Sequence, residues 1–396
     1  MNTIEELIQK DCPEGVEYLP LGEVCEILDS QRKPVAKGKR SGGHFPYYGA
    51  NGIQDYVDSY IFDGTFILMG EDGSVINPDR TPILNWAIGK IWVNNHAHVL
   101  KEKDNIALLR YVFYALQCVD VFDIVRGTPP KLNQANMRAI EIPVPPLSVQ
   151  HKIVEILDKF TSLEAELQTK LQAELEARKK QYEYYRNQLL KGDETWEQTN
   201  ILSLLCQPIT DGPHETPKLL DEGIPFLSAE SMINGHLDFT HARGYISREY
   251  DMICAKKYKP AFNDVYMCKS GSTTGKVAIN DTDKDFNIWS PLAAMRVNSN
   301  NSARFLYYLL QTDNVQTQVA INASHGSQPN LSMRKLEQFI VSVPSLTEQQ
   351  RIVTILDKFE ALINDQTASL AAEMKARHQQ YEYYRDRLLT FSRKEN

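Results

Sequence analysis

Along the stretch that ends at Leu189, bulky side chains recur at alternating steps of four and three. They fall at Leu171, Leu175, Arg178, Tyr182, Tyr185 and Leu189, a heptad stripe with one arginine in it. The same stripe returns at Leu370, Met374, Arg377, Tyr381, Tyr384 and Leu388. Each stripe belongs to a longer repeat. Leu147 to Leu190 and Leu346 to Leu389 align at a constant offset without a gap, and about half of their positions are identical. The spacing predicts two long helices, each opened by a proline-rich turn (IPVPPLS in the first copy) with Ser148 placed to cap the first. Two matching stripes in one chain are expected to pack on each other.

Elsewhere the polar and apolar positions change rhythm. From Tyr18 to about Val144, short apolar runs such as YIFDGTFILMG and GKIWVNNHAHVL are broken by Gly, Pro, Asn and Asp, which predicts strands and loops. Arg110 to Cys118 (RYVFYALQC) is the clearest helix within that stretch. Thr3 to Lys10 carries an S/T-x-x-E capping pattern and predicts a short N-terminal helix, ended by Pro13 and Gly15. Trp196 to about Val343 echoes the first globule. Arg304–Gln311 matches Arg110–Gln117, Met267 with Gly271-Ser272 matches Met69 with Gly73-Ser74, and Gly275-Lys276-Val277 is aligned with Gly89-Lys90-Ile91. Gly326-Ser327-Gln328-Pro329-Asn330-Leu331 matches Gly127-Thr128-Pro129-Pro130-Lys131-Leu132. The expected fold class is therefore mixed α/β: two similar globules, separated by two long antiparallel helices forming a coiled-coil-like spacer, with internal pseudo-two-fold symmetry. The expected boundaries are residues 1–146 for the first globule, 147–192 for the first helix region, 193–345 for the second globule and 346–396 for the second helix region.

Composition narrows the chemistry. The chain has 396 residues, 42% of them hydrophobic, and a formal net charge of -8. No apolar run is long enough for a membrane span and the N-terminus lacks a signal-peptide layout, so a cytoplasmic location is expected. The six cysteines show no metal-ligand spacing and read as reduced. Walker A fails at Gly271–Val277, which is one residue short and ends in Val. No G-x-G-x-x-G after a strand, G-x-S-x-G elbow or amino-methyltransferase signature is present, so no catalysis of its own and no cofactor is expected. His96 and His98 flank one residue on an expected strand, which would aim both to one face, but two histidines are a poor metal site.

The candidate chemistry is hydrogen bonding and charge. Arg32, Lys33, Lys37, Lys39 and Arg40 form a basic loop without an acidic residue between Gln31 and Gln54, and Tyr47 beside it would stack or contact a sugar if it is not core. Lys269, Ser272, Thr273, Thr274 and Lys276 combine cations, hydroxyls and glycines suited to phosphate. Arg126, Lys131, Asn133 and Gln134 in one copy, and His325, Gln328 and Asn330 in the other, are placed to read base edges. Each loop taken singly also fits a solvated turn.

Taken together the chain resembles the specificity subunits of type I restriction-modification systems. The residues that carry the likeness are Gln150-x-x-Ile153-Val154-x-Ile156-Leu157-Asp158 and its repeat from Gln349 to Asp357. GEDGS at Gly70, NNHAH at Asn94 with His96, TDGPHETP at Thr210 with His214, and GSTTGKVA at Gly271 add to it. The likeness covers essentially the whole chain. It implies a non-catalytic subunit whose two globules each read half of a bipartite double-stranded DNA site. It further implies assembly with two methyltransferase subunits and a restriction/translocase subunit, which would bring S-adenosylmethionine, ATP and Mg. The helices would set the half-site spacing, since about 30 residues of helix span on the order of 45 Å and one turn of DNA is about 34–36 Å. Ile156, Leu157, Phe160, Ile355, Leu356 and Phe359 are the expected docking surface for the methyltransferases. The competing expectation, from a different class, is a helical scaffold that clusters protein partners without reading DNA.

Overall fold

A computed structural model describes Glu6, Ile8 and residues 10–324 and 328–395. The helix expected at Thr3–Lys10 lies mostly outside these residues. The chain divides into two compact units, Met1–Lys170 with Ala371–Asn396, and Leu171–Leu370. The two long helices, Leu147–Leu189 and Leu346–Leu389, are each continuous and each contribute one half to either unit. Among the described residues no helix is long and apolar enough to cross a membrane.

The first unit is built on a six-stranded sheet in the order Cys25–Ile27, Ala97–Glu102, Phe62–Gly70, Leu84–Val93, Gly42–Gly49, Gly52–Val57. Its pairings are antiparallel except that Gly42–Gly49 lies parallel to Leu84–Val93. The helix expected from RYVFYALQC is observed at Leu109–Leu116. It buries Tyr111, Val112 and Leu116 against Ile153 and Leu157 of the first long helix and Leu388, Leu389 and Phe391 from the C-terminus. The C-terminal tail continues onto the same unit. Ser392 O accepts a hydrogen bond from Val16 N, Val16 O accepts one from Lys394 N, and Tyr18 Oη donates to Phe391 O.

The second unit repeats the frame with a different interior. Thr210–Asp211, Leu292–Met295, Val265–Cys268 and Val277–Ile279 form an antiparallel sheet in that order. A three-stranded sheet of Gly244–Ile246, Ile224–Leu227 and Asn287–Ile288 has no counterpart in the first unit's topology. The register corrects one alignment made from sequence. Met69 pairs with Leu84 and Met267 with Val277, while Gly70 N donates to Ile83 O and Cys268 N to Lys276 O. Lys276 therefore stands where Ile83 stands, not Lys90. The GK dipeptides had suggested the other register because composition alone does not count strand positions.

The repeated Q-x-x-I-V-x-I-L-D block is explained by what its members touch. Gln150 Oε1 accepts from Leu108 N and its Nε2 donates to Pro145 O, so one buried amide joins the helix start to the globule. Gln349 does the same between Ser302 N and Pro344 O. Asp158 binds Arg110 at 2.7 Å and the Tyr114 hydroxyl at 2.6 Å; Asp357 binds Arg304 at 2.8 Å and the Tyr308 hydroxyl at 2.6 Å. Both pairings latch a long helix to the short RYVFY-type helix of its own unit.

Within each unit the two helix halves run antiparallel, because the end of one lies beside the start of the other. Phe160 stacks on Tyr384 at 5.6 Å and His378 Nδ1 reaches Glu164 at 3.1 Å in the first unit; Tyr185 stacks on Phe359 at 5.7 Å in the second. The contacts between the two helices include ring stacks of tyrosine on phenylalanine. The second tyrosine of each stripe, Tyr185 or Tyr384, meets the phenylalanine of the opposite I-L-D-K-F segment, which is the geometry antiparallel pairing of two copies imposes.

Candidate nucleic-acid interface

In the first unit the loop Glu71–Ser74 is pinned to the loop around Arg126–Leu132 by backbone bonds. Gly73 N donates to Pro130 O at 2.9 Å and Leu132 N to Glu71 O at 2.8 Å. Gly73 has φ +78, which a side-chain-bearing residue adopts only with strain. The second unit repeats this, with Gly271 N on Pro329 O at 2.9 Å and Leu331 N on Lys269 O at 2.7 Å. Two loops far apart in sequence thus form one paired surface in each unit.

Beneath the first pair lies a charged hub that the sequence did not reveal. Asp29, buried at the end of the edge strand, meets His98 Nδ1 at 2.6 Å, Gln134 Nε2 at 2.8 Å and Val99 N at 2.9 Å. His98 Nε2 lies 2.8 Å from Leu132 O, and Glu71 binds Arg32 at 2.5 Å and Lys131 at 3.3 Å. Burial by itself would raise the Asp29 carboxyl; the bond and charge of His98, then Gln134 and Val99 N–H, hold it below its ordinary 3.8. The carboxylate's stabilising contribution is therefore full above that ordinary value and is lost as pH falls through the lower folded one. Asp29→Asn should accordingly be less stable than the parent near neutral pH, with the gap closing below about pH 4 in acid-unfolding curves.

The second unit builds its hub with the charges redistributed. Asp211, opposite Ala293 just as Asp29 lies near His98, pairs with Lys269 at 3.3 Å, His214 at 3.2 Å and Lys257. Lys269 occupies the place of Glu71, so a cation on the loop replaces a carboxylate there. The internal alignment of Glu71 with Lys269 was the one sequence signal that could have pointed to these hubs.

The expected DNA-contacting residues separate by what already holds them. Lys33, Lys37 and Lys39 are exposed and have no carboxylate within ion-pair distance among the described residues; Arg126 is exposed beside the paired loops. Asn133, Gln134, Ser272, Thr273, Lys276, Gln328 and Asn330 are also exposed, and Lys131 remains half-exposed although paired. Thr274 is half-buried, its hydroxyl donating to Gly271 O. Other assignments need correction. Tyr47 is 1% exposed, its hydroxyl bound to Val35 N and its ring under Arg40 at 4.1 Å, so it packs in the core and offers no face for a base. Arg40 also pairs with Asp55 at 3.2 Å. Arg32 is held by Glu71, Asp29 and Ala97 O, and Lys269 is 8% exposed against Asp211; both position loops rather than offer free charge. His96 sits in a turn before the strand, paired with Asp72, and does not share a face with buried His98. His325 lies outside the described residues.

The expected docking set is corrected in the same way. Leu157 and Leu356 are fully buried in their own units' cores, whereas Phe160 and Phe359, which stack on tyrosines, and Ile156 and Ile355 are half-buried. Exposed apolar side chains on the helices lie elsewhere: Leu163 and Tyr383 in the first unit, and Leu362 and Tyr184 at the equivalent places in the second.

Comparison with known proteins places this architecture. The family described as Type I restriction modification DNA specificity domain matches residues 13–177 and 214–375. A putative type I restriction enzyme specificity subunit of Haemophilus influenzae is 35% identical over 393 residues, covering 95% of this chain and 96% of that protein. A type I restriction enzyme specificity subunit of Escherichia coli is 30% identical over 409 residues, covering 96% and 95%. A solved chain from a study of complex assembly and conformational transition of the type I R-M system shares the fold with a TM-score of 0.64 at 15% identity, covering 96% of this chain and 98% of that one.

Proposed function

This chain belongs to the type I restriction-modification DNA specificity family, and from that premise we propose that it is the subunit that reads a bipartite double-stranded DNA target, one half-site per unit. The observation that carries the reading is the duplicated frame with unlike interiors. Latch, buried glutamine and paired loops recur in both units, whereas the sheets and the charge pattern beneath the loops differ. A shared frame holding two different surfaces is what reading two different sequences requires.

In this proposal the exposed Lys33, Lys37 and Lys39 contact phosphate, and Arg126, Asn133 and Gln134 in one unit, with Gln328 and Asn330 in the other, face base edges. Two methyltransferase subunits dock on the helix pairs through Leu163 with Tyr383 and Leu362 with Tyr184, and a restriction/translocase subunit joins them. S-adenosylmethionine, ATP and Mg belong to those partners, and the assembly works in the cytoplasm.

The test is to sequence methylated DNA from cells carrying the full system before and after residues 20–140 are exchanged for those of another family member. One half-site should change and the other persist; a target unaltered in both halves would sink the proposal. A second expectation concerns charge alone. Replacing Lys33, Lys37 and Lys39 together by Gln should weaken binding to all duplexes alike and lower the slope of log affinity against log salt by up to about 2.7, at about 0.9 per phosphate. Gel-shift titrations of the assembled complex at several salt concentrations read that slope.

A further inference from the structure

A cavity of about 500 Å³ opens in the second unit between the helix pair and the globule, lined among others by Lys179, Tyr182, Arg186, Lys276 and Tyr307. Arg186 lies at its floor, only 7% exposed, and among the described residues no carboxylate pairs with it. Its guanidinium has one long bond to Gln311 at 3.4 Å and sits 5.6 Å from the Tyr182 ring; its Nε and the Tyr182 hydroxyl are buried without a hydrogen-bond partner. A buried cation left in this state costs stability unless an anion shares its environment. Lys179 and Lys276, both exposed on the rim, likewise have no ion-pair partner among the described residues.

The first unit supplies an internal control. The residue equivalent to Arg186 is Arg385, which pairs with Asp386 at 2.8 Å. In the second unit the place of Asp386 is taken by Asn187, whose amide oxygen accepts from Asp313 N at 3.0 Å. The equivalent of Lys179 is His378, paired with Glu164 at 3.1 Å, and the place of Glu164 is taken by Ile363, on the cavity wall. The equivalent of Lys276 is Ile83. Four positions around one cavity have each moved toward positive charge. The opposing change is Glu360 in place of Thr161, but that carboxylate is bound to Arg304 at 2.5 Å and to the Tyr307 and Tyr308 hydroxyls at 2.9 Å. Glu183 is the remaining acid on the lining.

We propose that this cavity is an oxyanion site of phosphate chemistry, with Arg186 as its buried anchor and Lys179 and Lys276 as its rim. An anion entering it meets the wall formed by Arg186 and Tyr182, whose Nε and hydroxyl have no hydrogen-bond partner among the described residues, and guanidinium–phosphate bonds are among the stronger charge-assisted ones. Lys276 belongs to the loop Gly271–Lys276, and the next surface depression, lined by Gly271, Ser272 and Thr274, shares Gln316 with the cavity. The phosphate would come from a DNA backbone or from free phosphate. Only the first source rests on the DNA-reading proposal.

The test uses the full chain and two probes, inorganic phosphate and a duplex, against the variant Asn187→Asp, which restores the counter-ion of the other copy while keeping an acceptor for Asp313 N. Titrated against chloride at constant ionic strength, phosphate should bind the parent and lose at least tenfold in affinity in Asn187→Asp, with a smaller loss in Lys179→Gln. If the source is DNA, the log affinity–log salt slope for the duplex, measured on the chain with its methyltransferase partner, falls by about 0.9 in Asn187→Asp. A phosphate effect alone assigns the site to free phosphate, and a duplex effect, with or without it, to the backbone. Neither effect in folded Asn187→Asp or in Lys179→Gln, whose exposed side chain leaves folding intact, overturns the site. Failure of the DNA-reading proposal looks different, because the parent would then lack duplex affinity while phosphate binding persists.

Discussion

Leu356→Ala is expected to lower the stability of the unbound chain by about 2–5 kcal/mol, the cost of truncating a fully buried leucine and leaving a cavity. The side chain belongs to the second unit's hydrophobic core, which also holds Phe305, Leu309 and Leu336, so the loss arises before any partner is present. Its twin Leu157 should behave alike in the first unit. Denaturant unfolding of the isolated chain decides the matter: a stable Leu356→Ala that merely fails to assemble would restore leucine to a docking role. Leu362→Ala is the contrast, since that side chain is exposed and its loss should leave the unbound chain within about 0.5 kcal/mol of the parent.

The other large effect is on target geometry. An in-frame insertion of four residues after Leu171 is expected to abolish methylation of the original site and create methylation of a site with the same half-sites and a longer unspecified gap. Leu171 lies where the first long helix passes from one unit to the other. Four residues add about 6 Å of helix, enough for about one or two base pairs of extra spacing. Methylome sequencing reads half-sites and gap separately, and changed half-sites with an unchanged gap would contradict the expectation that the helices set the half-site spacing.

Much of the frame was legible because it repeats. The duplication, the two long helices and the Leu109–Leu116 helix follow from periodicity, and periodicity is a local property of sequence. What escaped was set by pairing across distance. The stripes of Tyr182 and Tyr185 and of Tyr381 and Tyr384 were visible, but which surface each meets depends on antiparallel pairing, and that brings phenylalanine to tyrosine. Asp29 and Asp211 come to lie under the paired loops, and Glu71 within one of them, only through the sheets that bring these segments together. Leu157 and Leu356 belong to an I-L-D-K-F segment whose apolar residues point in more than one direction, and only the latch made by the neighbouring aspartate shows which way the helix turns.

The C-terminal tail bears on how the chain is made. Leu388, Leu389 and Phe391 belong to the core of the unit that begins at the N-terminus, and Val16 is bonded on both sides to the tail at Ser392 and Lys394. Domains usually complete themselves in order of synthesis. Here the core of the first unit is complete only once the chain has been made through Phe391, whereas the core of the unit within Leu171–Leu370 draws on nothing beyond Leu356.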